Sequence, residues 1–335
     1  MFMNVYECDG EWSTDNIKDY VDTANAGANI IVSDGSVNNL NGSHVAKIYK
    51  NKEGEKKRWK QDGALYSYAT MNINGEVEGD GVLNVRGDHE GISTELHLTI
   101  NGGYINILAQ DDGINASEEN ISITKFTGGV TRIVGGTGPN QGDGIDSNGI
   151  ICIYGGTVIS TSHIMTDSGV DTNRGCYVDG GTLVSMGGVL DWPHARSKQN
   201  TMLLYFKDFI SSDSSIVIAD KNGNIVFAYD IRKDDLVGSV DREYQGVSIS
   251  SPNFVVGESY NLYIGSDIDG EEIWGLYNNS TAEKFSGGTK QICYSDGRPY
   301  DGSYWFVETI TYQPSTTLHF YSTMSTYAHV ANYQG

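Results

Sequence analysis

Short stretches in which apolar and polar residues alternate run along most of the chain. Leu96 to Ile100, Ile121 to Ile123 and Ile151 to Ile153 each place apolar residues at every second position. A period of two puts alternate side chains on opposite faces of an extended strand, as in a sheet with one buried face. Clusters of Gly, Asn and Asp separate these stretches, and helical spacing is confined to one short segment, Asp15 to Ala24. The pattern therefore predicts an all-β fold.

Two glycine-containing motifs recur in phase along the first part of the chain. A Gly-Gly pair precedes an alternating strand at intervals of 25 to 27 residues, beginning at Gly102, Gly128, Gly155 and Gly180. A second motif, in which Gly and then Ile or Val follow a polar residue, begins at Glu90, Asp112, Asp143 and Ser168. Repeats that stay in register predict stacked coils of about 25 residues, each with two or three short strands. A right-handed parallel β-helix has this organisation, and glycine suits its turns. The alternative is a β-sandwich in which the glycine spacing is a coincidence.

The repeat stops before a polar connector, Asp191 to Asn200, and longer apolar stretches follow it. The Asn222–Gly223 pair between two of these stretches is typical of a tight hairpin turn. We therefore predict a parallel β-helix with an N-terminal cap over residues 1–200 and a C-terminal antiparallel β-segment over residues 201–335. The segment is expected to pack on the last coils and to cover a sheet edge, without necessarily being an independent domain.

Composition narrows the possible partners. The chain has 335 residues with 43 Asp and Glu against 22 Lys and Arg, so its formal net charge is −21. Affinity for nucleic acid depends on clustered Lys and Arg, so this charge excludes a nucleic-acid partner. No run of about 18 apolar residues is present, so no membrane insertion is expected. The four cysteines form no C-x-x-C pair, which argues against a zinc or redox motif. The expected partners are neutral molecules or cations.

Acidic and amide residues recur at two positions of the second motif. If successive coils stack about 4.8 Å apart, as paired strands do, these residues form two columns three residues apart. Like charges at that distance repel by about 1 kcal/mol in water and by more near a protein surface, so the arrangement favours a bound cation. Oxygen ligands suit Ca²⁺, whereas Zn²⁺ prefers the His and Cys clusters that are missing here. The alternative is a solvated ladder of acidic turns. The predicted calcium ligands are Glu90, Asp111, Asp112, Asn115, Asp143, Asp146 and Asp171.

The order of these motifs resembles a known family. Gln110 to Ala116, Gly142 to Val158, Asp179 to Leu183 and Ser248 to Ile264 resemble segments of bacterial secreted carbohydrate-binding β-helix proteins, which are similar in fold to pectate lyases. The resemblance covers roughly residues 70 to 265. It implies a calcium-containing protein, secreted or displayed at the cell surface, that binds cellulose or a pectin-like polysaccharide with no established catalysis. It also implies calcium at Asp112, Asp143, Asp146 and their neighbours.

Three functions remain open at this point. The first is calcium-dependent binding of cell-wall or dietary polysaccharide without cleavage, through aromatic platforms and polar groups. The second is a pectate-lyase-like enzyme acting on polygalacturonate, with Arg132 or Arg174 as the base, although each arginine also fits an ordinary ion pair. The third is a cell-surface adhesin or structural scaffold. The predicted carbohydrate contacts are Arg132, Tyr154, Arg174 and Trp192.

Overall fold

A computed structural model describes residues 28–30, 37–42, 63–67, 69–74, 81–139, 142–163, 167–188, 191, 193–194, 196–256, 258–277, 282–291, 293–295, 313–315, 318–319 and 326–330. Nearly all regular structure in these ranges is β-strand, and the helical element that they contain is a short 3-10 turn, Ile231–Lys233. Within them, no helix is long and apolar enough to cross a membrane. The helix predicted for Asp15 to Ala24 lies outside the described residues.

The N-terminal strands follow one another in a repeating order, with three strands in each complete coil. The strands are β1 (Ala28–Ile30), β2 (Val37–Gly42), β3 (Gly63–Ser67), β4 (Thr70–Ile73), β5 (Val82–Gly87), β6 (Glu90–Thr94), β7 (His97–Ile100), β8 (Tyr104–Ala109), β9 (Ile114–Ala116), β10 (Ile123–Phe126), β11 (Val130–Val134), β12 (Ile145–Ser147), β13 (Ile150–Ile153), β14 (Thr157–Thr161), β15 (Val170–Thr172), β16 (Cys176–Val178) and β17 (Thr182–Gly187).

Equivalent strands of successive coils pair in parallel and form three sheets. Sheet 1 contains β3, β6, β9, β12 and β15, and sheet 2 contains β1, β4, β7, β10, β13 and β16. Sheet 3 begins with β2, β5, β8, β11, β14 and β17. Every pairing among these strands is parallel, so the described N-terminal part is a parallel β-helix, as the motif spacing predicts.

Stacked aliphatic side chains fill the interior of the coils. In sheet 1, Ile92, Ile114 and Ile145 are paired on successive strands, and each is completely buried. In sheet 3, Ile107 and Ile133 form an equivalent buried pair. Alternate residues of these strands face outward, which is why the sequence alternates with a period of two. Burial of apolar surface in this column stabilises the coils against one another.

The second glycine of each Gly-Gly motif makes the turn between sheets 2 and 3. Gly156 has a φ of +76°, a left-handed conformation that residues with a side chain rarely adopt. A Cβ atom on Gly156 would also lie only 2.6 Å from the carbonyl oxygen of Gly129 in the preceding coil. The same left-handed conformation occurs at Gly103, Gly129 and Gly181. The repeat therefore retains glycine both for its backbone freedom and for close stacking.

The C-terminal part adds strands of a different kind. They are β18 (Thr201–Ser211), β19 (Ser215–Asp220), β20 (Ile225–Asp230), β21 (Glu243–Ser250), β22 (Ser259–Gly270), β23 (Leu276–Tyr277), β24 (Ala282–Lys290), β25 (Cys293–Ser295), β26 (Gln313–Ser315), β27 (Leu318–His319) and β28 (Thr326–Val330). Strand β21 pairs antiparallel with β17, so sheet 3 continues through β21, β18, β28, β25 and β26. Strands β19, β20, β22, β23, β24 and β27 form sheet 4, whose pairings are all antiparallel.

Sheet 4 packs on the outer face of sheet 3. A second apolar core joins Ile159 and Val184 of sheet 3 to Ile218 and Tyr229 of sheet 4. The fold is therefore all-β, with a parallel β-helix and an antiparallel C-terminal segment packed on it, which confirms the predicted architecture. The predicted boundary at residue 200 falls just before β18, and it stays a prediction because sheet 3 runs across it.

One outward-facing column of residues in sheet 3 changes from polar to apolar along the β-helix. Asn84 donates a hydrogen bond to Asn39 (2.9 Å), and Asn106 donates one to Asn84 (2.7 Å). Polar residues thus occupy the first coils, and apolar residues begin where sheet 4 covers the sheet. In order, the column contains Asn39, Asn84, Asn106, Arg132, Ile159 and Val184.

Candidate functional site

The second acidic column lies along sheet 1. Ser93 of β6 is paired with Asn115 of β9, which is paired with Asp146 of β12. Asp146 is in turn paired with Asp171 of β15. These residues occupy equivalent positions on successive coils, so the alignment predicted from the spacing of the motif is confirmed.

The first acidic column lies at the start of the same strands. The N–H of Gly91 donates to the carbonyl oxygen of Asp112, and the N–H of Gly113 donates to that of Asp143, both at 3.0 Å. Backbone hydrogen bonds thus join this motif from one coil to the next. The longer loop between Asp112 and Asp143 leaves their register unchanged, because its extra residues lie outside the column.

A buried amide joins two carboxylates at the N-terminal end of the columns. The Asn115 Nδ2 group donates to Glu90 Oε1 at 2.9 Å and to Asp112 Oδ2 at 3.1 Å. Glu90 is completely buried, and Asn115 is 2% exposed. The other amide atom, Asn115 Oδ1, is buried without a hydrogen-bond partner in the described part of the chain. A buried acceptor without a donor is costly, and such a group is a common ligand of a hard cation.

The next carboxylates along the columns are surrounded by other acidic side chains. Asp112 Oδ1 accepts the N–H of Asp143 at 2.8 Å, and Asp143 Oδ1 accepts the N–H of Ser168 at 2.5 Å. Burial raises the pKa of Asp143 to about 9; the Ser168 hydrogen bond opposes this shift, and nearby carboxylates, including Asp171 and Asp146, reinforce it. In the absence of a cation, Asp143 therefore holds its proton at neutral pH.

Asp191 extends this acidic group beyond the last coil. Its Oδ2 atom accepts the N–H of Thr172 at 2.9 Å, and its burial, followed by the charge of Asp171, raises its pKa to about 7. The sequence motif does not include Asp191, because it lies in the connector after the repeat. The structure thus brings Asp143, Asp146, Asp171 and Asp191 into electrostatic contact.

Asp111 lies beside a histidine. Its Oδ2 atom is 3.3 Å from Nε2 of His89, and both side chains are about one quarter exposed, at 22% and 24%. Among the described residues, no three His, Cys, Asp or Glu side chains converge to hold a metal ion. The available donors are nevertheless all carboxylate and amide oxygens, which fit calcium in chemical type. The predicted ligand set stays a prediction.

Arg132 is buried beneath the C-terminal segment. Its guanidinium pairs with Asp234 at 2.8 Å and with Asp235 at 2.5 Å, and Nε donates to Asn106 at 2.9 Å. The Trp274 ring covers it, with 3.8 Å between the ring centroid and the guanidinium carbon. Arg132 is 3% exposed, so in this conformation it serves as an anchor between the sheets.

The other predicted carbohydrate contacts lie elsewhere. Tyr154 follows β13 and is 50% exposed. Its position is on the outward face of sheet 2, where Cys152 is paired with Tyr177 and the Tyr177 ring stacks on His194 with 4.2 Å between centroids. Arg174 is exposed, and its NH1 group lies 3.5 Å from the Asn120 side-chain oxygen. Trp192 lies outside the described residues.

A groove of about 680 Å³ separates sheet 3 from parts of the C-terminal segment. We define it by its floor, its wall and its rim. The floor is the outward face of β11, β14 and β17, and the wall is formed by β20 and β23. The rim consists of two turns, at residues 251–253 and 271–273. The motif spacing gave no indication of this groove, because its two sides come from distant parts of the chain.

The described structure is a β-helix with acidic columns, an antiparallel sheet packed across one face and an open groove. The outward face of sheet 2 carries the exposed Tyr154 and the half-buried Tyr177, and we call it the tyrosine face. A sequence model of the family described as carbohydrate-binding domain-containing protein matches residues 16–234. The chain therefore belongs to this carbohydrate-binding family. No curated protein and no solved structure matches it significantly.

Proposed function

We propose that the protein is a calcium-dependent carbohydrate-binding protein that holds cell-wall or dietary polysaccharide without cleaving it. It acts outside the cell or on the cell surface, and cellulose or a pectin-like polymer is its partner. Membership of a carbohydrate-binding family supports the binding of sugar. The observation that carries the proposal further is the exposed Tyr154 ring on the outward face of sheet 2.

The outward face of sheet 2 has the chemistry that a sugar platform needs. Tyrosine rings pack against the C–H faces of sugar rings, and their hydroxyl groups exchange hydrogen bonds with sugar hydroxyls. Tyr154 directly follows β13, and Tyr177 lies on the adjacent strand β16, where one face of its ring is stacked on His194. Lys125 of the preceding coil is paired with Cys152. Successive strands about 4.8 Å apart present these groups along a flat surface, which suits an extended polymer.

Calcium fits the acidic columns by the chemistry of their donors. Glu90, Asp112 and Asn115 would hold it at one end. Asn115 Oδ1, which has no hydrogen-bond partner among the described residues, is an available ligand. Asp143 and its neighbours Asp146, Asp171 and Asp191 form the second candidate group. A bound Ca²⁺ supplies positive charge that offsets the repulsion between stacked carboxylates. Its proposed role is to hold the coils in register.

The burial of Arg132 supports binding without cleavage. A lyase of the pectate type requires a free cationic base near the substrate, and Arg132 is instead engaged by Asp234 and Asp235. Of the two predicted bases, Arg174 is the exposed one. Incubation with polygalacturonate and calcium should yield no unsaturated product in the ultraviolet. Any such product would contradict this part of the proposal, and its loss in Arg174→Ala would identify the base.

Calcium dependence is tested by thermal unfolding. We expect a higher Tm in millimolar Ca²⁺ than in EDTA, because a ligand of the native state stabilises it. Asn115→Asp should lower the Tm in EDTA by adding a buried carboxylate, and it should increase the calcium-induced rise. Asn101→Asp is the matched control, because Asn101 accepts a hydrogen bond from Thr127 outside the columns. An unchanged wild-type Tm would refute the calcium proposal.

Sugar binding is tested on a glycan array, with and without calcium. Wild type should bind polysaccharide, and Tyr154→Ala should weaken binding by about tenfold, since aromatic contacts dominate such sites. Ile121→Ala is the matched control, because Ile121 is 57% exposed on a different turn. No binding to any glycan would favour a scaffold or adhesin instead.

A further inference from the structure

We propose that the groove between sheet 3 and the C-terminal segment is a second carbohydrate site, which takes a neutral oligosaccharide segment. This inference rests on the proposed function, because it assumes that the protein binds sugar. The groove lies against the outward face of sheet 3, whereas Tyr154 lies on the outward face of sheet 2, so the two sites are separate. Its volume of about 680 Å³ is within the usual range for ligand pockets.

The floor of the groove is a regular array of outward-facing side chains. Val130, Thr157 and Thr182 are paired in sequence across β11, β14 and β17. Paired strands lie about 4.8 Å apart, so this row spans about 10 Å. Two threonine hydroxyls thus stand next to apolar atoms at a regular spacing. Each hydroxyl both donates and accepts hydrogen bonds, which matches the behaviour of sugar hydroxyls.

The wall combines apolar surface with a few polar groups. Val226 and Leu276 are partly exposed on its inner side, and Ile273 on the rim is 57% exposed. Asn253, which is exposed on the opposite turn, donates through Nδ2 to the Val226 carbonyl oxygen at 3.4 Å and adds its amide oxygen to the lining. Such a lining accommodates a molecule with apolar ring faces and hydroxylated edges. A purely apolar ligand would leave the threonine hydroxyls without partners at a cost in free energy.

The negative charge of the residues that line the groove favours neutral sugars over anionic ones. Glu271 and Glu272 lie on the rim, and among the described residues that line the groove none is Lys, Arg or His. A uronate carboxylate would meet negative charge without compensation, so galacturonate is disfavoured. A neutral hexose or pentose chain carries no such penalty, and carboxylates are strong acceptors for its hydroxyls.

The rim turn is held in a fixed conformation. Trp274 has a φ of +50°, which is rare for a bulky residue, and Gly275 follows it with a φ of +73°. The Gly275 N–H donates to Glu272 Oε2 at 2.5 Å, and the Gly275 carbonyl accepts the N–H of Asp230 at 2.7 Å. Stacking of Trp274 on Arg132 anchors the turn to sheet 3. A rim turn fixed in this way loses little conformational entropy when a ligand binds.

The test is made in a Tyr154→Ala background, so that the face of sheet 2 does not contribute. The probes are hexasaccharides of β-linked glucose, xylose and mannose, with a galacturonate hexamer in EDTA as the anionic comparator. Affinity is measured by titration calorimetry. Two variants alter the groove: Thr157→Trp fills the floor, and Ile273→Asp removes the apolar contact surface of the rim. Their matched controls are Thr289→Trp on an exposed position of β24 and Val255→Asp, whose wild-type residue is 54% exposed.

We expect at least one neutral hexasaccharide to bind and the galacturonate hexamer not to bind. Thr157→Trp and Ile273→Asp should each weaken affinity by about tenfold, whereas both controls stay within about twofold of the background. If wild type binds glycans and the Tyr154→Ala background does not, or if the groove variants match their controls, the groove inference is wrong and the proposed function stands. If galacturonate binds as well as the neutral chains, the neutral class is wrong. If wild type binds no glycan, both proposals fall.

Discussion

Burial decides how each acidic side chain behaves. Asp235 is 77% exposed and stays in contact with water, whereas the neighbouring Asp234 side chain is completely buried and accepts hydrogen bonds from Arg132 and from Tyr229. Among the described residues, no cation of this kind acts on Asp143, and burial together with nearby carboxylates favours its neutral form. Burial raises the pKa of Asp234 as well, but the Arg132 charge and the hydrogen bonds to Asp234 oppose that rise.

The raised pKa of Asp143 predicts a pH dependence of stability for the calcium-free protein. Its pKa is about 9 in the folded state against an ordinary value of 3.8, so the unfolded chain loses this proton first as the pH rises. The native state then binds more protons than the unfolded state, and the free energy of unfolding falls with rising pH by up to about 1.4 kcal/mol per unit. We expect this loss between pH 5 and pH 8 in EDTA.

Urea denaturation at several pH values measures this effect. Asp143→Asn is neutral at every pH, so its stability should fall less between pH 5 and pH 8 than that of wild type. The exposed Asp88→Asn serves as the control and should follow wild type. Parallel curves for wild type and Asp143→Asn would show that Asp143 does not retain its proton in the folded protein.

Single residues were predictable from the sequence only where they belong to the repeat. Asn115, Asp146 and Asp171 fall at one motif position, so their alignment followed from spacing alone. Asp191 joins the acidic group from an irregular connector, where no period operates. The buried carboxylate that pairs with Arg132 belongs to Asp234, which is 102 residues away in the chain, so the burial of this arginine could not be inferred locally.

At the scale of strands and turns, the Gly-Gly motif is the sequence feature that predicts strand positions most reliably. It identified β8, β11, β14 and β17, because a left-handed glycine at the start of each strand is a steric requirement of the stacked turns. The alternating pattern likewise indicated the strands of sheets 1 and 2. Pairing across the C-terminal sheets was less predictable. For example, β18 pairs with β28 in parallel, and no periodic feature links these two segments.

The Gly156→Ala variant tests the two reasons why this turn needs glycine, namely its left-handed backbone conformation and its close contact with the preceding coil. Its φ of +76° alone costs an alanine about 1 to 2 kcal/mol. The new Cβ would also lie 2.6 Å from the Gly129 carbonyl oxygen, so we expect a total loss above that range. Gly223→Ala is the matched control, because its φ is +87° and nothing lies within 4 Å of the added Cβ.

The free energy of unfolding is measured for both variants by chemical denaturation. Gly223→Ala should lose only the backbone component, and Gly156→Ala should lose clearly more. An equal loss of unfolding free energy in the two variants would mean that neighbouring coils can move apart to accept the new Cβ atom at little cost in free energy.

At the scale of the whole molecule, the β-helix and the C-terminal segment share one sheet and one core. Sheet 3 passes from β17 into β21, and the apolar end of its outward column is covered by sheet 4. Arg132 lies where the polar column of asparagines meets this apolar region. It bridges the two parts through Asp234, so the ion pair stabilises their packing.

Removal of the buried partner should therefore destabilise the protein strongly. Asp234→Ala leaves the Arg132 charge buried with weaker compensation, for which losses of about 3 to 5 kcal/mol are typical. Asp235→Ala removes an exposed partner of the same guanidinium and should cost less than about 1 kcal/mol. Denaturant unfolding of the two variants measures the difference. Similar small losses in both would show that the buried pair contributes little to the packing of the two parts.

The stacking of similar coils also means that the β-helix can lengthen or shorten in evolution by whole coils. Each coil contacts only its neighbours, as in other solenoids, so duplication of one coil lengthens the helix by about 4.8 Å. A copy inserted before β11 would leave the floor of the groove intact, because that floor is built from β11, β14 and β17. The length of the acidic column and the tyrosine face can thus diverge between relatives while the groove keeps its shape.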